Sequence, residues 1–546
     1  MPIFNTEGFF HQFLYDEKNP LLFNNGFFVF FFTAFLCLYY IFRNKIAVRR
    51  YIFCFFSLYF FYKASGAFVG LVIISAIVDF VLSNAIFSTA HQLKKRLLLI
   101  VSVMFNLGML FYFKYTNFFI SLSNELFHAG FHPLNILLPV GISFYTFENL
   151  SYTIDVYRGE LEPARKFSDY LLFLSFFPKL VMGPIVRAHD FVPQINKPYQ
   201  ISDNDFAKGF YLIVSGLFKK LIISDYLTLN YVNYIFDDPA RYTGMENLFA
   251  VYGYAAVIYC DFSGYSDVAI GIARWLGFTI PTNFLSPYQS SSITEFWRRW
   301  HISLSSWLKD YLYIPLGGNR KGSWVTLFFT ALFFTSCYFI FSSLLGFAVW
   351  LSAVLCLALL VIFILPSVIK RSKGGLSTNF NLMTTMFLGG LWHGASLNFI
   401  FWGSLHGVGL GIHKLWMIIT GGEDSGVKRS RLYKMLAGII TFHFVCFCWI
   451  FFKASDFNTA AAMIHQIGFD WDWKVWSAFF GNYHNIVYMI LLVMVMHLIP
   501  DNTIDKILLR FKRIPLLVYV LLFFGFVLTY GYFKSAEQVL PIYLQF

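Results

Sequence analysis

An all-α, polytopic membrane helix bundle is the fold this sequence predicts, and three observations carry that expectation. Of its 546 residues 58% are hydrophobic and only 13% charged, against about 25% charged in ordinary soluble domains. Apolar runs near the ~20 residues needed to cross a bilayer recur along the whole length. Short Lys/Arg clusters separate those runs, which is how loops held on the cytoplasmic side read. A mean hydropathy of +0.61 and 70 Phe fit helices that face lipid.

The basic clusters fix the order of crossings. "RNKIAVRR" (43–50) and "HQLKKR" (91–96) are both expected in the cytoplasm, so residues 51–90 cross twice or re-enter. The N-terminus then lies outside, and residues 1–20, with no basic region and no small-residue cleavage site, are not expected to be removed. Residues 97–113 cross outward, 114–132 form an external loop, and the run from Leu134 returns to "VYRGELEPARKF" (156–167). "RKG" (320–322) and "KRSKGG" (370–375) bracket an apolar hairpin, residues 324–369, long enough to go out and back. A span near 433–452, an external segment at 453–483, a return near 484–499 and a last span at 514–533 leave the C-terminus outside. The total is about 11 to 13 membrane segments, some re-entrant, in one integral-membrane domain covering 1–546.

The formal charge of +12 does not point to nucleic acid, because no basic soluble domain carries it. The seven Cys lie nearly all inside apolar runs and form neither a zinc nor a disulfide pattern. Nucleotide loops, dinucleotide fingerprints and the G-x-S-x-G elbow are missing from the sequence.

Ionisable groups inside apolar runs are costly and therefore mark candidate sites. "IYCDFSGYSDVAIGIARWLGF" (258–278) holds Asp261, Ser263, Asp267 and Arg274. Asp267 and Arg274, two helical turns apart, share a face and read as a structural ion pair. "LGGLWHGASLNFIFWGSLHGVGLGIHK" (388–414) carries His393, His406 and His413 among glycines that let helices approach closely or break around a cavity. No carboxylate or Cys stands at ligand spacing from these histidines, so no metal site is expected.

Residues 294–322, "TEFWRRWHISLSSWLKDYLYIPLGGNRKG", gather aromatic and basic side chains around His301. Ser292 with Glu295 reads as a capping box. Trp297, Trp300, Leu304, Trp307 and Tyr311 then recur every three or four residues as one stripe, with Arg298, Arg299, Lys309 and Asp310 off it. That pattern predicts a helix lying in the cytoplasmic interface, rings at headgroup level and charges in water. Either it is a plain surface anchor or His301, close after two arginines, marks the mouth where a phosphate-bearing substrate arrives.

"EFWRRWHISLSSWLKDYLYIPLGGNR" followed by "GGLWHG" resembles the membrane-bound O-acyltransferase family, nearest its bacterial alginate and peptidoglycan O-acetyltransferases. "YTIDVYRGELEP", "LSFFPKLVMGPIVRAHDFVPQ", "YCDFSGYSDVAIGIARWLGF" and "WIFFKASDFNTA" extend the resemblance over roughly residues 50–460. It implies a helix bundle around a central tunnel in a bacterial cytoplasmic (inner) membrane. The family's near-invariant histidine falls on His393 and its second on His301. The hairpin at 324–369 departs from typical relatives, in which a short segment joins "GGNR" to "GGLWHG".

On this reading acetyl-CoA is the donor substrate and no cofactor is required. The acceptor is an extracytoplasmic polysaccharide, reached with an SGNH-type partner protein in the periplasm or on the membrane. Arg298, Arg299 and Lys309 would attract the donor's phosphates, and His393 would serve as base or acyl relay. Asp261 or Asp267 would orient it, and Trp300, Trp392 and Asn398 complete the substrate-binding candidates. A D-alanyl transferase fed by an acyl carrier protein is the nearer alternative, and a transporter or flippase without acyl chemistry the more distant one.

Overall fold

The computed structural model describes residues 12–544 except 18, 24, 321, 340–341, 343–347, 371–374, 421–429, 512–513 and 535–538. Among them every regular element is helical. Helices Ile46–Ser65 and Val69–Ser88, turned at Gly66 (φ 62°), fill the segment expected to cross twice. Helix Gln92–Leu110 follows. The external loop expected from residue 114 is instead helical as far as Phe127, through a π-helical stretch Phe111–Tyr115. Toward the C-terminus, Arg431–Lys453, His484–Leu498 and Leu516–Phe533 fall where spans were expected.

Among the described residues, four stretches are long and apolar enough to cross a membrane by themselves: Ile46–Ser88, Gln92–Phe127, Arg431–Lys453 and Leu516–Phe533. Val475–Asn482 with His484–Leu498, bent by 76°, makes a fifth if taken as one span. The multi-pass helix bundle stands.

At its centre runs Gly244–Trp275, 32 residues buried almost throughout. It starts at a capping box in which Thr243 N–H donates to Glu246 Oε2 (2.9 Å). Helix Asp203–Leu217 lies against it at van der Waals distance because glycines meet: a Cβ on Gly271 would stand 2.7 Å from the Gly209 carbonyl oxygen. Small residues at such crossings let backbones approach where no hydrophobic driving force exists between helices. The many Phe are not all lipid-facing. Phe177 is ringed by Phe23, Phe28, Phe35, Phe53, Phe56 and Phe60, an aromatic core for the N-terminal half.

The lysines and carboxylates beside the central helix are paired. Lys219 Nζ lies 2.6 Å from Asp267, Lys220 Nζ 2.5 Å from Asp261 and 2.8 Å from Asp225. The expected Asp267–Arg274 pair therefore does not form, since Arg274 turns outward to Asp205 (3.2 Å). Both lysines sit on a π-helical stretch, Phe218–Ser224, whose wider turn brings consecutive lysines onto the carboxylates of the central helix.

The hairpin at 324–369 contributes helices Trp324–Phe339 and Val349–Lys370. Phe333 and Cys337 pack on Phe380, Met383 and Phe387 of helix Gly375–His393. Thr326 donates to Asn381 (2.7 Å). The hairpin tip at 340–341 and 343–347, and residues 371–374 of its closing basic cluster, lie outside the described residues.

Candidate active site

His393 is the last residue of helix Gly375–His393, and two close contacts hold it there. The helix crosses Leu397–Ile419 at Gly390 and Gly403, where a Cβ on Gly403 would stand 2.9 Å from the Gly390 Cα. Beyond it, Gly394 has no room for any side chain, since a Cβ would lie 2.0 Å from the Phe399 ring. The unsatisfied carbonyls of this helix end are met by a lysine. Lys114 Nζ donates to the carbonyls of Trp392 (2.7 Å) and His393 (3.0 Å), and Tyr115 hydroxyl to that of Leu391 (2.9 Å). A positive charge at a helix C-terminus is favourable by geometry and dipole alike. Both groups come from the π-helical stretch Phe111–Tyr115.

The His393 ring is walled by Trp392 and Trp402 (centroids 4.9 Å), Phe452 (5.5 Å) and Tyr543 (5.6 Å). Its Nδ1 is buried without a hydrogen-bond partner. The ring borders a cavity of about 70 Å³ lined also by Lys114, residues 138–144, Trp392, Tyr543 and Leu544.

His301 breaks the aromatic helix. It adopts a left-handed backbone (φ 43°) between helices Ile293–Arg299 and Ile302–Leu308. Its Nδ1 donates to Asn283 Oδ1 (3.2 Å), which also accepts from Ser303 N–H (3.2 Å) and hydroxyl (2.9 Å). With Nδ1 so used, Nε2 is the acceptor nitrogen, and it has no partner. Trp392 (6.2 Å) and Tyr543 (6.1 Å) neighbour this ring as they do that of His393. The two histidines are thus gathered about one pair of aromatic rings.

From that pair a stack of rings leads away. Trp392 lies 5.2 Å from Phe147, Phe147 3.7 Å from Trp307, and Trp307 5.2 Å from Tyr311. At the far end Arg187 and Arg158 stand over the Tyr311 ring at 4.3 and 5.3 Å, and Tyr311 hydroxyl donates to Asp155 (2.7 Å). One guanidinium nitrogen of Arg187, Nη1, is buried without a partner, while Nη2 reaches Asp310 (3.3 Å).

The interfacial helix expected within residues 294–322 is not what forms. Trp297, Trp300, Leu304 and Trp307 are buried in protein. Trp300 lies among Phe284, Phe296 and Trp449, remote from any cavity described. Ser292 caps as expected, accepting from Glu295 N–H (3.1 Å), but the Glu295 carboxylate accepts from Ser291 instead of Ser292. Of the basic candidates, Arg298 and Lys309 are exposed, and Arg299 is held by Glu295 (2.8 Å). Among the described residues no carboxylate orients His393: Asp261 and Asp267 belong to the lysine pairs. Asn398 donates to the Ala454 carbonyl (2.9 Å). His406 is enclosed by Trp297, Trp402 and Phe296, and His413 meets Thr294 (2.9 Å). Lys114, Asn283, Arg158, Arg187 and Tyr543 were not singled out from the sequence. Arg158 and Arg187 lie inside quoted family stretches, and only the other three had no signal.

The sequence profile of the membrane-bound O-acyltransferase family matches residues 164–364. A peptidoglycan O-acetyltransferase of Helicobacter pylori is 31% identical over 75% of this chain and 71% of its own length. The chain belongs to the membrane-bound O-acyltransferase family. A protein named probable alginate O-acetylase from Pseudomonas putida is 37% identical over 69% of the chain. A teichoic acid D-alanyltransferase of Bacillus subtilis is 28% identical over 60% of it. The chain spans 66% and 61% of the length of the alginate relatives from P. putida and Pseudomonas syringae, less than two thirds. In this member of the family the matched segment contains His301 and its π-helical continuation Lys309–Tyr313.

Proposed function

We propose that the chain is a membrane O-acyltransferase that takes an acetyl group from cytoplasmic acetyl-CoA for O-acetylation of an extracytoplasmic polysaccharide. The observation that carries this reading is the meeting of two imidazoles, each with an unpartnered ring nitrogen, at the inner end of a wall of aromatic rings. The arginines over Tyr311 form the donor's entrance, and the flat, apolar wall suits the thioester arm that follows the phosphates. At its end the acceptor hydroxyl attacks the thioester carbonyl while His393 takes the hydroxyl proton. The C–S bond breaks, the ester forms, and the proton passes to the departing thiolate. Positioned general-base catalysis of this kind is worth about 10²–10⁴-fold. Lys114 fixes the imidazole's backbone, and Asn283 fixes the tautomer of His301 beside it.

The names of the relatives, an alginate, a peptidoglycan and a teichoic acid enzyme, support a cell-envelope polymer as acceptor. An SGNH-type partner outside the membrane would complete delivery. The D-alanyltransferase relative favours one second reading, transfer of D-alanine from an acyl carrier protein. Purified chain in proteoliposomes, given a polysaccharide acceptor and offered acetyl-CoA or a D-alanyl carrier, separates them. Release of free CoA thiol, lost in His393→Gln, is the expected result. Thiol release from the carrier alone would replace acetyl-CoA as donor.

A further inference from the structure

Residues 541–544 pack against the bundle, with Ile542 buried. Ile542 N–H donates to Asp261 Oδ2 (2.8 Å), while the other Asp261 oxygen accepts from Lys220 (2.5 Å). Asp261 is thus shared: one oxygen holds the bundle together and the other receives a backbone group of residues 539–544. Next in the chain, Tyr543 packs on Phe262 (4.6 Å) and Phe144 (5.7 Å) as well as on both histidine rings and Trp392. The segment also stands between two small cavities. Val539, Leu540 and Ile542 line one of about 60 Å³ with Asp261 and Lys453. Tyr543 and Leu544 line the other, the one that His393 borders.

We propose that Asp261 is a positioning residue that seats this segment as a stopper, with Tyr543 shutting the acceptor-side approach to His393 against water. The proposal rests on the reading of His393 as the acyl-transfer centre. An amide N–H at this depth needs an acceptor, and a carboxylate gives the strongest one available. Lys220 holds that carboxylate in place without occupying both of its oxygens. A thioester beside a general base is hydrolysed wherever water enters, so excluding water protects the acyl group until a productive acceptor arrives.

The test leaves Asp261, Lys220 and Asp225 untouched. Ile542→Pro removes the N–H that Asp261 accepts, and Pro suits the first position of the short 3₁₀ turn Ile542–Leu544. Ile542→Ala removes the side chain and keeps the N–H. Each is combined with Ser143→Cys, which lines the His393 cavity, in full-length protein purified in detergent. The rate of modification by a small charged methanethiosulfonate is read against the same proteins with Ser143. Modification severalfold faster in Ile542→Pro than in Ile542→Ala is expected, with acceptor-free hydrolysis of acetyl-CoA rising alongside. Equal rates in the two, or no rise over Ile542, overturn the proposal. Because labelling needs no turnover, a failure of the acyl-transfer reading would leave this result legible.

Discussion

Lys219 and Lys220 each meet a carboxylate within 2.6 Å, and Asp261, Asp267 and Asp225 are matched in turn. In the same bundle His301 and His393 are buried as deeply, yet Nε2 of one and Nδ1 of the other have no partner. Both regions place polar groups where their desolvation is expensive, but only the first recovers that loss through pairing. The difference separates two uses of intramembrane polarity. Satisfied groups lock helices, whereas His393 and His301, left open and held from behind by Lys114 and Asn283, are the groups proposed to meet substrate.

Substitutions should therefore fail in different ways in the two regions. The largest effect is expected at His393. His393→Gln and His393→Ala should lower envelope O-acetylation to background in a host lacking the native chain, while the purified variants keep a monodisperse profile. Substantial ester content with the Gln variant would move His393 to the structural side of the comparison. Next comes Lys220→Met, which leaves Asp261 and Asp225 buried without their cation. Breaking a buried pair costs about 3–5 kcal/mol, so here the thermal transition should fall before any kinetic constant can be measured. A variant with the parent's melting temperature would show that the paired region is not what holds the helices.

A third substitution sits between the two regions. Lys114→Met withdraws the cation from the Trp392 and His393 carbonyls. At ~1–2 kcal/mol for a charge at a helix end, transfer should fall about tenfold or somewhat more, with Lys114→Arg partly restored. Loss of folded protein instead would class Lys114 with Lys220. The smallest effect is expected at the donor entrance. Arg187→Ala should raise the KM for acetyl-CoA roughly two- to fivefold, as a partly screened charge does, and more at low salt. Arg299→Ala should change it less, because that guanidinium is already engaged with Glu295. The reverse ranking would return the entrance to the 298–299 pair.

The bundle was legible because hydropathy and charge spacing are one-dimensional signals. His393 and His301 were legible because long motifs surround them. The aromatic stripe after Glu295 was read with the right period and the wrong environment: periodicity reports one face but not whether lipid or protein covers it. The left-handed residue at His301 also divides the helix in a way no propensity signals. Lys114 looked like the start of a loop, since a π-turn leaves no mark in hydropathy. Asn283 lies in a polar connector, and Tyr543 in a short apolar stretch 150 residues beyond His393. Their roles arise from contacts between distant parts of the chain.

The π-helical stretches carry a consequence of their own. Lys114 stands on Phe111–Tyr115, Lys220 on Phe218–Ser224 and Tyr311 on Lys309–Tyr313, so the cap on His393, the seat for Ile542 and the proposed donor entrance all depend on widened turns. A π-turn is an α-helix holding one residue more than its spacing accommodates. Removing a single residue there would let the helix close to regular geometry, and the side chains on the widened turn would lose the positions that turn gives them. A deletion that changes no named side chain would then turn Lys114 away from the carbonyls it caps. Part of this site is written in the count of residues between its groups, where a comparison of residue identities alone would not find it.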